Sequence, residues 1–248
     1  MRQRWAMRIT YGLVPAILLL LVAPLFAGTS NRDDDISRLE AAARVFRHNT
    51  IPEAILHGAK CIAIIPGQKH FALGIGGQYG KGLVTCKNDN RWSAPAFITL
   101  AGISYGFQIG GQSSDIVMIF RSKHGLESLL SNKIKLGASA SAAAGPIGRE
   151  ASASTNASAN AAILTYSRSH GAFAGVNLNG AVVQPDDTGN IAMYGRAERH
   201  EQILSGTVRP PAAAILLLRE ISHVTAAIPP AAPAKPASAV PPAPQPQP

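Results

Sequence analysis

The chain reads as an α+β protein: a strongly bent antiparallel sheet, open or curled into a barrel-like form, with peripheral helices. Three features predict this. Between residues 71 and 115, glycine recurs at Gly74, Gly76, Gly77, Gly80, Gly82, Gly102, Gly106, Gly110 and Gly111 among apolar residues. Positions in the same stretch fall in alternation, as at Val84 and Cys86, Ile103 and Tyr105, and Phe107 and Ile109, which is the period of half-buried strands. Glycine inside strands marks bulges and tight bends, and the phrase IGGQ stands at residues 75–78 and again at 109–112, so two similar bends are expected. The third feature is helical spacing of apolar residues towards both ends of the chain.

Taken in order, the first element is a helix. Asp33, Asp34 and Asp35 precede Ile36, Leu39, Ala43 and Phe46, and Arg44, Arg47 and His48 close the segment, which suits the helix dipole. Arg38, Arg44 and Arg47 fall off its apolar stripe. TIPE at residues 50–53 has capping-box spacing and starts a second helix through Ile55, Leu56 and Ala59. Strands follow at residues 61–65, 71–78, 82–87, 96–108 and 116–121, then a short helix at 126–131. Residues 137–162 are rich in Ala, Ser and Gly and are expected to lie over the sheet. Further strands are predicted at 162–168 and 172–183. Asp186 or Asp187 caps a short helix ending near Tyr194, and residues 211–224 form the last helix, with Ile215, Leu218 and Ile221 as its stripe.

Both ends stand apart from this body. Arg2, Arg4 and Arg8 precede an uncharged apolar run at residues 11–27, the layout of a secretory signal peptide cut after Ala27 or of an uncleaved membrane anchor. Either form exports the domain, to the periplasm or to a membrane face turned towards it. Residues 228–248 are mostly proline and alanine and predict an extended, disordered tail, a spacer or a ligand for an envelope protein. The organisation expected is therefore 1–27 signal peptide or anchor, 28–49 amphipathic helical lead-in, 50–226 folded domain and 227–248 tail.

The formal net charge is +9. Residues 60–182 carry eleven Lys or Arg against four Asp or Glu, so the excess belongs to the folded domain. A basic surface favours acidic lipid, nucleic acid or polyanionic glycan, and export removes nucleic acid from that set. Cys61 and Cys86 are an even pair in an exported chain, on strands placed to meet. A disulfide between them is expected, worth roughly 3 kcal/mol for the loop it closes, with two buried free thiols as the alternative.

Five phrases carry a resemblance: GGQYGKG (76–82), WSAP (92–95), IGGQSSD (109–115), AAAGPIGR (142–149) and YSRSHGAFAG (166–175). In this order they resemble the SYLF domain family over residues 51–195. The resemblance implies a non-enzymatic lipid-binding domain. Eukaryotic members bind phosphoinositide membranes through an N-terminal amphipathic helix, and some bind actin filaments. Export of this chain shifts the expected ligand to anionic phospholipid. On this reading Leu39 and Phe46, in the helix at 36–48, insert into the membrane. Lys60, Lys81, Arg149 and Arg168, in or beside the matched phrases, meet phosphates.

Residue patterns for catalysis are poor. Gly80-Lys81 is followed by Gly82 where a phosphate loop needs Ser or Thr, and Tyr79 stands where a dinucleotide fingerprint needs its third glycine. The seven histidines are scattered and none has a His or Cys partner at zinc spacing, so no metal or cofactor is expected. Ser113 and Asp115 share a strand face without a histidine near them in sequence, a weak basis for a hydrolase. Aromatic and basic residues interleave at Lys69–His70–Phe71, Tyr79–Lys81, Arg91–Trp92 and Tyr166–Arg168, a pattern that suits a headgroup layer as well as a core edge. The rival to lipid binding is an envelope structural or interaction protein that docks a protein partner.

Overall fold

The computed structural model describes residues 31–89, 91–122, 125, 129, 133–147, 160–169, 171–195 and 198–226. The apolar leader, the tail, most of the predicted helix at 126–131, and Arg149 lie outside them. Helix α1 (Arg32–Arg47) is capped by Asn31, whose side chain accepts the Asp34 N–H at 2.8 Å, and its three first-turn aspartates face the positive end of the dipole. A short helix α2 (Glu53–His57) follows, entered through Pro52 rather than a capping Thr50.

Two strands dominate: β1 (Cys61–Asn88) and β3 (Ala96–Phe120), joined through the two-residue β2 (Arg91–Trp92). They pair antiparallel from Cys61↔Phe120 to Val84↔Ala96. The separate strands expected at 61–65, 71–78 and 82–87 are thus one, as are 96–108 and 116–121. A register shift between Ile65 and Gln68 stands at the first interruption and another falls between Leu73 and Gly74, whereas residues 79–81 pair without a break. The remaining strands are β4 (Ile134–Lys135), β5 (Ala142–Ala144), β6 (Ile163–Arg168), β7 (Ala174–Gly175) and β8 (Val182–Pro185). Strand β6 joins the end of β3, β8 joins its beginning, and β5 lies parallel to β6. The result is a strongly curled, open, half-barrel sheet of mixed α+β class.

The curl is extreme. An extended strand of this length would separate Cys61 from Cys86 by about 80 Å, yet their Cα atoms are 4.0 Å apart and their sulfurs are bonded. Strand β1 therefore crosses its own beginning. The Lys87 N–H donates to the Lys60 carbonyl at 2.8 Å beside the disulfide. Gly82 makes the crossing possible, since a Cβ there would stand 2.4 Å from the Ile64 carbonyl oxygen. Between the crossing points, residues 66–79 of β1 and 102–114 of β3 run as a two-stranded arch. Neither β6 nor β8 reaches that part of β3.

Both faces of the sheet's base are buried, so consecutive residues such as Ile62, Ala63, Ile64 and Ile65 are all inaccessible. On one face Ile62, Ile64, Leu83, Phe97, Val117 and Tyr166 pack under α1, α2 and the last helix. On the other, Ala63, Ile65, Ile98, Leu100, Met118 and Phe120 pack against Ile134, Val183, Ile203 and Leu204. Helices α3 (Asp187–Tyr194), α4 (His200–Leu204) and α5 (Ile215–Thr225, after a 3-10 turn at Ala212–Ala214) close these layers. Asp186 caps α3, accepting the Gly189 N–H at 3.2 Å.

Two expectations are corrected here. The buried stripe of α5 is Leu217, Ile221 and Thr225, while Ile215 is exposed, because the 3-10 turn rotates the helix start. Residues 172–183 are not one strand but the short β7, a loop and the start of β8.

Candidate functional site

The family phrases serve mostly as structure. In WSAP, the Trp92 indole N–H donates to Thr225 Oγ1 at 3.2 Å, and Ser93 Oγ accepts the Cys86 N–H at 3.1 Å. AAAGP seats Tyr166: its hydroxyl donates to the Pro146 carbonyl at 3.2 Å, and a Cβ on Gly145 would lie 2.0 Å from its ring. Burial pushes the Tyr166 phenol up to about 12. Asp115 of IGGQSSD accepts the Gly67 N–H at 3.0 Å and pairs with Arg168 at 2.8 Å. Both carboxylate oxygens are thereby held by structural donors.

Arg168 is the hub of that clasp. Beside Asp115, it donates to the His48 carbonyl at the end of α1 at 3.3 Å and lies 5.0 Å over the Phe173 ring. It is only 15 % exposed, so it ties β6 to α1. Lys60 is exposed at the strand crossing. Leu39 and Phe46 are buried in the main core, at 0 % and 1 % exposure. The expectation that they enter a bilayer is corrected: α1 spends its apolar face on the sheet.

Cations do converge, at a different place. A groove of about 500 Å³ runs between the polar face of α1 and the two roots of the arch, lined by Arg38, Arg44, Lys69, Tyr79 and Lys81, with Asp34 at one end. Of the described residues proposed from the sequence, Lys81 alone lines it. At its floor Lys81 Nζ meets Asp186 Oδ2 at 2.9 Å, and Arg38 pairs with the fully buried Asp35. Burial raises the Asp35 carboxyl above its ordinary range, an effect the Arg38 guanidinium partly offsets. Arg38 also lies 5.6 Å over Phe97. The floor is thus charge-balanced, whereas Arg44 and Lys69 are exposed at the rim.

Lys69 and Phe71 lie on one face of β1, and Lys81, Tyr79 and Gly77 form a second such row, with Ile103 opposite Gly77. Each row runs from cation to arch. Phe71 is 61 % exposed and Ile103 68 %, the two most exposed large apolar side chains among the described residues. Tyr79 also lines a second groove, of about 1140 Å³, together with Phe71, Ile103, Val182, Lys133 and Lys135. Arg38, Arg44 and Lys69 were legible only in part: the helix pattern put the arginines on the polar face, and Lys69 stood in an interleaved phrase. Their meeting depends on β1 folding back across α1, which no local pattern encodes.

A family model described as "Las17-binding protein actin regulator", Ysc84, matches residues 101–224, half of the chain. Among known proteins, "LAS seventeen-binding protein 3" of Saccharomyces cerevisiae is 38 % identical over 173 residues, covering 68 % of this chain and 38 % of that protein. "Protein YSC84" of the same yeast is 38 % identical over 173 residues, 68 % of this chain and 37 % of its own length. "SH3 domain-containing YSC84-like protein 1" of Homo sapiens is 32 % identical over 191 residues, 72 % of this chain and 56 % of its own. The chain thus spans about two-fifths of the yeast relatives and over half of the human one.

Proposed function

Because this chain belongs to the Ysc84 (SYLF) family, we propose that its domain is a non-enzymatic module that binds anionic phospholipid membranes. The observation that carries the reading is the junction of two exposed apolar residues of the arch with a cationic groove. Phe71 and Ile103 enter the acyl boundary, while Arg44 and Lys69 meet headgroup phosphates. Apolar insertion supplies a salt-resistant part, and each cation near an anionic surface adds about 1 kcal/mol that salt screens. Carried on an exported chain, as the leader pattern of residues 2–27 suggests, the module works at a periplasmic membrane face.

Flotation with phosphatidylglycerol–phosphatidylcholine vesicles, against phosphatidylcholine alone, tests this. Arg44→Gln with Lys69→Gln weakens anionic binding about 30-fold at low salt, the sum of two such cations. Phe71→Ser with Ile103→Ser removes the binding that survives high salt. Wild-type protein that ignores both vesicle types sinks the reading.

A second reading rests on the outer edge of β3. Residues 102–114 have no strand partner on that side among the described residues, and an open edge accepts an extended peptide by strand addition. Relatives named for binding Las17 point the same way. Flotation of purified protein separates the two, since docking needs a protein partner.

A further inference from the structure

The groove beside the arch differs in kind from the cationic one. Its walls are Phe71, Tyr79 and Ile103 of the arch and Val182 of β8, and Lys133 and Lys135 stand at its edge. Lys133, just before β4, and Lys135 within it flank Ile134, which is buried in the core, and both lysines are exposed. No described residue lining the groove is an Asp or Glu, and Lys133 also borders a neighbouring groove that holds Asp187 and Glu198. Its volume of about 1140 Å³ is at or above the range of small-ligand pockets, roughly 300–1,000 Å³. Gly77 leaves part of that space open: nothing lies within 4 Å of where its Cβ would stand.

We infer that this groove holds the chain of a monoacyl anionic amphiphile, its phosphate headgroup at Lys133 and Lys135. The inference rests on the lipid-binding reading and adds to it a site that takes lipid one molecule at a time. A wall of aromatic and aliphatic side chains gains from covering methylenes, whereas it holds water poorly. A pair of lysines at the edge favours an anionic head over a cationic one. The cationic groove offers phosphate contacts without such a wall. The two sites meet at Tyr79, which lines both, so an amphiphile drawn from the membrane at the arch has a continuous path into the groove.

The test is titration of the full chain with octyl, decyl and dodecyl phosphate, each below its micelle concentration, followed by native mass spectrometry and calorimetry. Inorganic phosphate serves as the tail-free control. The expected result is one molecule bound per chain, with affinity rising about fourfold for each methylene covered. Gly77→Phe fills the groove and removes this binding. Lys133→Gln and Lys135→Gln each weaken it about fivefold, and these exposed residues can be changed without touching the core. Vesicle flotation of Lys135→Gln stays at the wild-type level, because Phe71, Ile103, Arg44 and Lys69 are unchanged.

Absence of saturable binding, independence of tail length, or wild-type affinity in both lysine variants overturns the inference even should Gly77→Phe fail to fold. Amphiphile binding by a wild-type chain that ignores vesicles would sustain the groove while removing the membrane reading. Vesicle binding without amphiphile binding does the reverse.

Discussion

The self-crossing of β1 makes a graded prediction about three glycines. A Cβ at position 82 would stand 2.4 Å from the Ile64 carbonyl oxygen and 2.9 Å from the Ile65 Cα. Those are backbone atoms and cannot turn aside, so the crossing itself must open. At position 80 the clashes are with side-chain atoms, Ile65 Cγ2 at 2.5 Å and Gln68 Cβ at 3.1 Å, which yield in part. At position 77 nothing lies within 4 Å. Overpacking costs roughly 1–3 kcal/mol, so Gly82→Ala is expected at about 3, Gly80→Ala at about 1–2 and Gly77→Ala near zero. For a domain of this size each kcal/mol moves the melting midpoint by about 2–4 °C, which places Gly82→Ala roughly 6–12 °C below wild type. Urea unfolding of the oxidised protein, with unchanged slope, measures all three. If Gly82→Ala matches Gly77→Ala within about 0.5 kcal/mol, the strands do not cross as closely as described.

Reduction and alkylation of the Cys61–Cys86 bond should lower stability by about 3 kcal/mol, seen as a reductant-dependent melting midpoint. Leu39→Ala should cost about 3–5 kcal/mol, because this fully buried side chain fills the core under α1; a stable, vesicle-defective Leu39→Ala protein would restore α1 as the inserting element. His200 predicts a pH effect. Its ring Nε2–H donates to the Leu129 carbonyl at 2.7 Å, Nδ1 is buried without a partner among the described residues, and burial lowers its pKa. Its neutral form therefore contributes stability that is complete above the ordinary value of about 6.5 and is lost as pH falls through the lowered folded value. Unfolding midpoints at about pH 7.5 and about pH 5 should differ less in His200→Gln than in wild type.

Much of the fold was legible because its signals are local. The aspartates and apolar spacing of α1, the cap at Asp186 and the alternation in β1 and β3 each act within a few residues. The bent sheet followed from glycines set among alternating apolar residues. What local pattern could not show is that residues 61–88 are one strand meeting itself, since a bulge and a strand end look alike in sequence. Everything downstream of that crossing was hidden with it. Lys81 was found because it sits in a matched phrase, but its neighbours Arg38 and Arg44 come from a helix some forty residues earlier. Arg168 was misleading for a physical reason: an arginine beside aromatic residues suits a headgroup layer and an internal clasp equally well, and Asp115 decides between them. Leu39 and Phe46 carried the same ambiguity, because an amphipathic helix shows its apolar stripe whether a sheet or a membrane covers it.

The bond between Cys61 and Cys86 joins the two ends of a single strand. Tension on the chain from either side is therefore carried across the sulfurs, and the segment between them bears none of it. Mechanically residues 66–79, the β1 half of the arch, are a loop on a closed ring, slack however hard the flanking segments are pulled, whereas residues 102–114 of β3 lie outside the ring and on the path of the load. Pulled from its two ends, the domain would keep Lys69 and Phe71 off that path while Ile103 stays on it.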